Sequence, residues 1–145
     1  MNYLLDTCVI SELVKTNPHQ KVIHWIKACP EESLYLSSLT IGELQKGVSK
    51  LEASKKRTEL QQWIDRDLQS RFAGRIISVD YPVAQKWGQV QAAAEKAGKP
   101  LPVLDGLIAS IALTHNLIVV TRNIQDIMAS GAELFNPWQN SLLKN

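Results

Sequence analysis

A chain of 145 residues, 45% hydrophobic and 21% charged, has the length of one domain and an ordinary globular composition, which excludes disordered and fibrous classes. Sixteen Lys and Arg against fourteen Asp and Glu leave a formal charge of +2, too little to attract nucleic acid in bulk, so any such binding needs a local patch. No apolar run reaches the ~18 residues of a membrane span, no basic-then-apolar leader opens the chain, and Cys8 and Cys29 lack metal spacing; the expectation is one domain over 1–145, cytoplasmic, off the membrane, with reduced thiols.

Tyr3-Leu4-Leu5 is a short apolar run closed by Asp6-Thr7, the pattern of a parallel strand buried on both faces. Val9, Ile10, Leu13 and Val14 recur at helical spacing until Asn17-Pro18, and Val22, Ile23, Trp25 and Ile26 carry a second helix to Cys29-Pro30. Leu34 to Ser37 predicts a second strand, after which Ser38 or Thr40 is placed to cap a helix bearing Ile41, Glu43, Leu44, Val48 and Leu51. A charge-rich helix follows over 54–72, striped by Leu60, Trp63, Ile64, Leu68 and Phe72 and broken at Gly74. Ile76 to Val79 predicts a third strand, and Asp80 with Pro82 reads as the cap of a helix through Val83, Trp87, Val90 and Ala94 to near Gly98.

Leu104, Leu107, Ile108 and Ile111 mark a helix from Val103 to about His115, with Asp105 in its first turn. Leu117 to Val120 is the strongest strand signal and ends in Thr121-Arg122-Asn123. Strands alternating with helices predict an α/β fold, a mostly parallel central sheet flanked by helices.

Ligands of an open parallel sheet sit outside the carboxyl ends of its strands, where Asp6 and the 121–123 cluster both fall. Glu43 and Asp105 lie early in helices and are placed to point back toward that edge, and small neighbours, Gly47 beside Glu43 and Ala109 and Ala112 beside Asp105, suggest room for a bulky ligand. Each acid alone reads as a cap, a first-turn charge or surface; together they repel one another unless a divalent cation offsets the burial. All-oxygen ligands favour Mg²⁺ or Mn²⁺, and such an ion supports hydrolysis of a phosphodiester.

The stretches YLLDTCVISEL, LSSLTIGELQKGV, LPVLDGLIASIALTHNLIVVTRN and the closing FNPW, in this order, resemble the PIN-domain ribonucleases, and among them the VapC-type toxins of toxin–antitoxin modules. The resemblance implies a PIN domain and a metal-dependent endoribonuclease whose acids are Asp6, Glu43 and Asp105, all three metal ligands, with Mg²⁺ or Mn²⁺ as cofactor. It places Asn123 at a fourth catalytic position, where the family often carries Asp; Asp126 reads as a cap, with reaching round to substitute for Asn123 as the alternative. Thr121 is expected to bond a carboxylate or a substrate phosphate, and Arg122 to clamp phosphate or to pair with the acid cluster. Lys46, Lys50 and Arg57 read as an RNA path, a contact for an acidic partner tail, or plain solvated surface.

His19, His24 and His115 show no ligand spacing, Trp25, Trp63 and Trp87 read as core, and Trp138 reads as packing, with base stacking as its alternative. The implied partners are RNA, a cognate antitoxin whose tail blocks the acidic pocket, a second copy in a homodimer, and promoter DNA only through the antitoxin. The rival expectation is a binding module that acts with its antitoxin on promoter DNA and has little nuclease activity; the neutral Asn123 keeps it in play.

Overall fold

In the computed structural model, residues 1–139 and 141–143 are described, so positions 140, 144 and 145 of the expected domain lie outside the described residues. Strand β1 (Tyr3–Leu5) is central, parallel to β2 (Leu34–Ser37) on one side and to β4 (Ile118–Val120) on the other. Beyond β2 lies β3 (Ile76–Ile77), and beyond β4 lie β5 (Leu134–Asn136) and the antiparallel β6 (Ser141–Leu143), giving the order β3-β2-β1-β4-β5-β6. The sheet is thus mostly parallel, as expected, with one antiparallel edge strand that the sequence pattern did not mark.

Alternation along β1 and β4 divides the core between the two faces of the sheet. Leu4 and Val119 pack with Ile108, Ile111 and Leu134, while Leu5 and Val120 pack with Val9, Ile10, Leu36 and Phe72. Both faces are covered, which is why these strands read as unbroken apolar runs.

Helix α1 (Thr7–Leu13) leaves β1 at once, and α2 (Gln20–Ala28) follows. Helix α3 (Ser38–Ser49) starts directly after β2, and its cap is Ser37, whose hydroxyl accepts from Leu39 N at 2.8 Å; neither Ser38 nor Thr40 plays that part. The charge-rich helix is continuous in outline but changes pitch: α4 (Lys55–Gln62) passes through a π-helical turn at Trp63–Leu68 into α5 (Gln69–Arg71), and Gly74 at φ 79° ends it. The third strand is shorter than expected, only Ile76–Ile77.

Asp80 caps α6 (Tyr81–Lys96) by accepting from Val83 N at 3.2 Å, as the sequence predicts. Helix α7 (Val103–His115) ends in a left-handed Asn116 at φ 55°. Ala109 and Ala112, expected to leave space beside Asp105, are fully buried in the core instead, so their small size serves helix packing rather than a ligand. The last helix, α8 (Ile124–Ile127), follows β4 after one turn. Among the described residues no helix is long and apolar enough to cross a membrane.

Candidate active site

The register of the sheet sets Leu5 opposite Val120, so the residues just beyond them, Asp6 and Thr121, become neighbours at the carboxyl edge. Thr121 Oγ1 donates to Asp6 Oδ2 at 2.8 Å, and Thr7 N donates to Oδ1 at 2.8 Å. Asp6 therefore caps α1 from a buried position at the carboxyl edge of the sheet. Burial pushes its carboxyl up, the bonds from Thr121 and Thr7 pull it back, and the charge of Glu43 raises it again. Cys8 Sγ lies 3.6 Å from Thr121 Oγ1 and 4.0 Å from Asp6 Oδ2, and burial together with the Asp6 charge raises its thiol, which stays protonated beside the carboxylate.

Helix α3 brings Glu43 to Asp6 through a residue the sequence reading passed over: Thr7 Oγ1 donates to Glu43 Oε1 at 2.6 Å. The exposed Gly47 and Glu43 open together onto an apolar groove of about 200 Å³ that Leu44, Val48, Leu51 and Trp63 help to line. The room expected beside Glu43 is present.

Asp105 sits in the first turn of α7, held in place by close packing on α6 at its neighbour Gly106, where a Cβ would stand 2.9 Å from Gln91 Oε1 and 3.3 Å from Trp87 Nε1. Its carboxylate is half-buried and accepts no hydrogen bond among the described residues. Burial, then the charges of Asp6, Asp126 and Glu43, push it up to about 6.

Asp126 thus acts electrostatically on Asp105 alongside Asp6 and Glu43. Asp126 is not a cap: it occupies the first turn of α8, whose cap position is Asn123. The Asn123 side chain has no hydrogen-bond partner among the described residues, while its backbone N–H donates to Thr121 Oγ1 at 3.0 Å.

Arg122 does not pair with the acid cluster. Its Nη2 reaches Glu12 Oε1 at 3.4 Å and its guanidinium lies 4.2 Å over the Trp138 ring. Glu12, 3% exposed, was missed by the sequence reading; Lys15 Nζ at 2.9 Å and His19 N at 2.8 Å complete its shell. Trp138 is half-buried and packs on the core, as do Trp25 and Trp63, while Trp87 packs on Gly106. Lys46 and Lys50 are exposed, and His19 caps α2 through Nδ1 while His24 and His115 are exposed.

Whether the acids suit a cation is decided by their donor chemistry. Asp6, Glu43, Asp105 and Asp126 offer hard carboxylate oxygens, none of them has a Lys, Arg or His ion-pair partner among the described residues, and two pairs of oxygens, on Asp105 and Asp126, accept no hydrogen bond from the described residues. No three Asp, Glu, His or Cys side chains of the described residues are close enough to clasp one ion directly. The donor chemistry is that of a hard divalent cation, but Asp6, Glu43 and Asp105, expected to hold one together, do not come close enough to ligate it jointly.

Thr121→Val tests the support given to Asp6. Loss of the 2.8 Å bond raises the Asp6 carboxyl, so the acid limb of the pH–rate profile is expected to move upward in pH, and kcat/KM at neutral pH to fall about tenfold to a hundredfold.

The family model described as PIN domain matches residues 3–126. Toxin FitB of Neisseria gonorrhoeae is 38% identical over 137 residues, 94% of this chain and 99% of that protein. VapC ribonuclease Y4jK of Sinorhizobium fredii is 37% identical over 136 residues, 94% of this chain and 97% of that one. The solved structure of FitAB bound to an IR36 DNA fragment superposes with a TM-score of 0.89 at 37% identity, covering 94% of this chain and 95% of that chain. Acids gathered at the carboxyl edge of a parallel sheet, a family match over most of the length and close likeness in sequence and fold agree: the chain belongs to the PIN domain family.

Proposed function

We propose that the chain is a metal-dependent endoribonuclease toxin that hydrolyses RNA phosphodiester bonds and is held inactive by a cognate antitoxin. The observation that carries the reading is the buried Asp6 at the carboxyl edge of the sheet, hydrogen-bonded to Thr121 and linked through Thr7 to Glu43, with no ion-pair partner among the described residues, at the edge where ligands of this architecture bind. Relatives named toxin and ribonuclease support it. Asp6, Glu43 and Asp105 are proposed as metal ligands and catalytic residues, Mg²⁺ as the ion with Mn²⁺ as a substitute, and the domain as spanning 1–145. Thr121 acts through Asp6 rather than on phosphate.

A divalent cation, when bound, activates water and offsets the charge that develops in an in-line displacement at phosphorus. The chain's own residues prepare for it. Thr7 and Thr121 aim Asp6 and Glu43 by donating hydrogen bonds, and α7 carries Asp105 in its first turn, while Asn123 and Asp126 line a separate cavity. Asp126 would supply the fourth charge that Asn123 lacks, and Asn123 would offer its amide to the substrate.

The antitoxin reading adds a cationic tail, attracted by the carboxylates, with an apolar segment lying in the groove beside Glu43. A homodimer in the cytoplasm belongs to the same proposal. The second reading, a binding module engaged with promoter DNA through its antitoxin, is favoured by Asn123, which replaces a charge with an amide, and by the DNA-bound FitAB relative.

Incubation of the pure protein with single-stranded RNA separates the two. Cleavage is expected with Mg²⁺ or Mn²⁺, none with EDTA, and none from Asp6→Asn. Cleavage that survives in Asp6→Asn rejects the assignment of the site; no cleavage with any divalent ion favours the binding module.

A further inference from the structure

The closing FNPW segment builds a feature that the acid cluster does not use. Strand β5 ends on Asn136, and after Pro137 the chain turns so that Trp138 N donates to Asn136 Oδ1 at 2.9 Å. A backbone N–H only donates, so the contact fixes that atom as the carbonyl oxygen and leaves the amide nitrogen at the other end. Asn136 is 4% exposed, and this nitrogen has no partner among the described residues, but it is not one of their sealed unpartnered atoms and so reaches the open space beside it. The residue lines a cavity of about 440 Å³ together with Arg122, Asn123, Gln125, Asp126 and Gln139.

The lining selects the ligand. Asn123, Gln125, Asn136 and Gln139 are amides, able to offer donors and acceptors side by side, and Asp126 adds an acceptor and a negative charge. Phosphate carries acceptors only and is repelled by Asp126. A nucleobase edge alternates donors and acceptors, and an Arg plane provides a stacking surface for its ring. Arg122 is fixed for that use, tied to Glu12 at 3.4 Å and seated 4.2 Å from the Trp138 ring, while its side chain stays 51% exposed.

We propose that this cavity is a nucleobase subsite, taking one unpaired base of the RNA strand next to the bond to be cut, with Asn136 reading the edge of the base and Arg122 bearing its ring. The inference rests on the ribonuclease reading, and Asp126 links the two places because it lines the cavity and also raises the Asp105 carboxyl.

Asn136→Asp is the informative change: it keeps an oxygen for Trp138 N and replaces the cavity-facing amide nitrogen with a second oxygen. Gln139→Ala, at an exposed position, removes another amide without risk to the core. Both are placed in the Asp6→Asn background and tested by fluorescence anisotropy against four labelled single-stranded RNA decamers, each enriched in one base, in Mg²⁺. The parent is expected to prefer one base about tenfold, Asn136→Asp to flatten or reverse the order, and Gln139→Ala to weaken it severalfold with unchanged melting. Should Asn136→Asp fail to fold, Gln139→Ala decides. Equal affinity for all four decamers, or a preference that the folded variants leave unchanged, overturns the subsite while wild-type cleavage of RNA still upholds the nuclease. A parent that binds no RNA, together with a wild type that cleaves none, overturns both.

Discussion

Asp105→Asn is expected to cut RNA cleavage on the order of 10³-fold while leaving the protein folded and, without metal at neutral pH, more heat-stable than the wild type. The two effects have one origin. Asp105 is half-buried among Asp6, Asp126 and Glu43 with no donor to its oxygens, and burial with those like charges pushes its carboxyl up to about 6. A carboxyl raised above its ordinary value costs stability in its ionised form, so the cost is absent below the usual carboxylate range, grows as pH climbs toward about 6 and is full above it. Asparagine removes the charge. In EDTA the variant should melt at the same temperature as wild type near pH 4 and higher near pH 7, by about 1 kcal/mol once solvent screening of a half-exposed group is included, or about 3 °C. Adding Mg²⁺ at pH 7 should raise the melting point of the wild type and leave that of the variant almost unmoved. A variant that is less stable than wild type at pH 7 would mean that Asp105 has a cationic partner, and the argument for a divalent ion would fail.

Glu12→Gln is expected to act in the opposite direction, destabilising the fold by about 2 kcal/mol at pH 7, roughly 6 °C in Tm, because a buried carboxylate with charged hydrogen bonds is replaced by a neutral amide. Burial alone would raise Glu12, but the bonds from Lys15 and His19 N and the Arg122 charge outweigh it and hold the carboxyl below its usual value. A lowered carboxyl contributes stability above its unfolded pKa and loses it as pH falls through the folded one. The gap between wild type and Glu12→Gln in thermal melts should therefore be full near pH 7 and shrink in strong acid. The same change loosens Arg122 from its 3.4 Å contact, so the base preference is expected to weaken along with stability. An unchanged Tm at pH 7 would show that the Glu12 network adds nothing.

Asp6 and Thr121 were legible because both close uninterrupted apolar runs, and the pairing of Leu5 with Val120 then makes them adjacent without further information. Asp105 and Glu43 were legible as acids on otherwise apolar helix faces. Thr7 was not, because a hydroxyl after a capping acid has no pattern of its own, and only the angle between α1 and α3 reveals that it holds Glu43.

Glu12 did leave a trace: it lies three residues after Val9 and just before Leu13, on the buried stripe of α1, where a charge must find partners. Those partners come from positions 15, 19 and 122, and no local window holds them all. Asp126 looked like a cap because it stands at the start of a short helix, and its electrostatic link to Asp105 depends on how α8 packs beside α7. Strands β5 and β6 escaped because, unlike β1 and β4, neither lies in a continuous apolar run: Leu134-Phe135-Asn136 follows a charged residue and ends on a polar one, and β6 opens on Ser141.

The most direct measurement is the anomalous difference map of a crystal grown in Mn²⁺ at neutral pH, with Asp105→Asn as its partner. A peak beside Asp105, held by Asp6, Glu43 and Asp105 directly or through ordered water and lost in Asp105→Asn, is the expected result. A map with no peak there, or with the carboxylates bridged by protonation or by a Lys or Arg side chain in place of a metal, would contradict it.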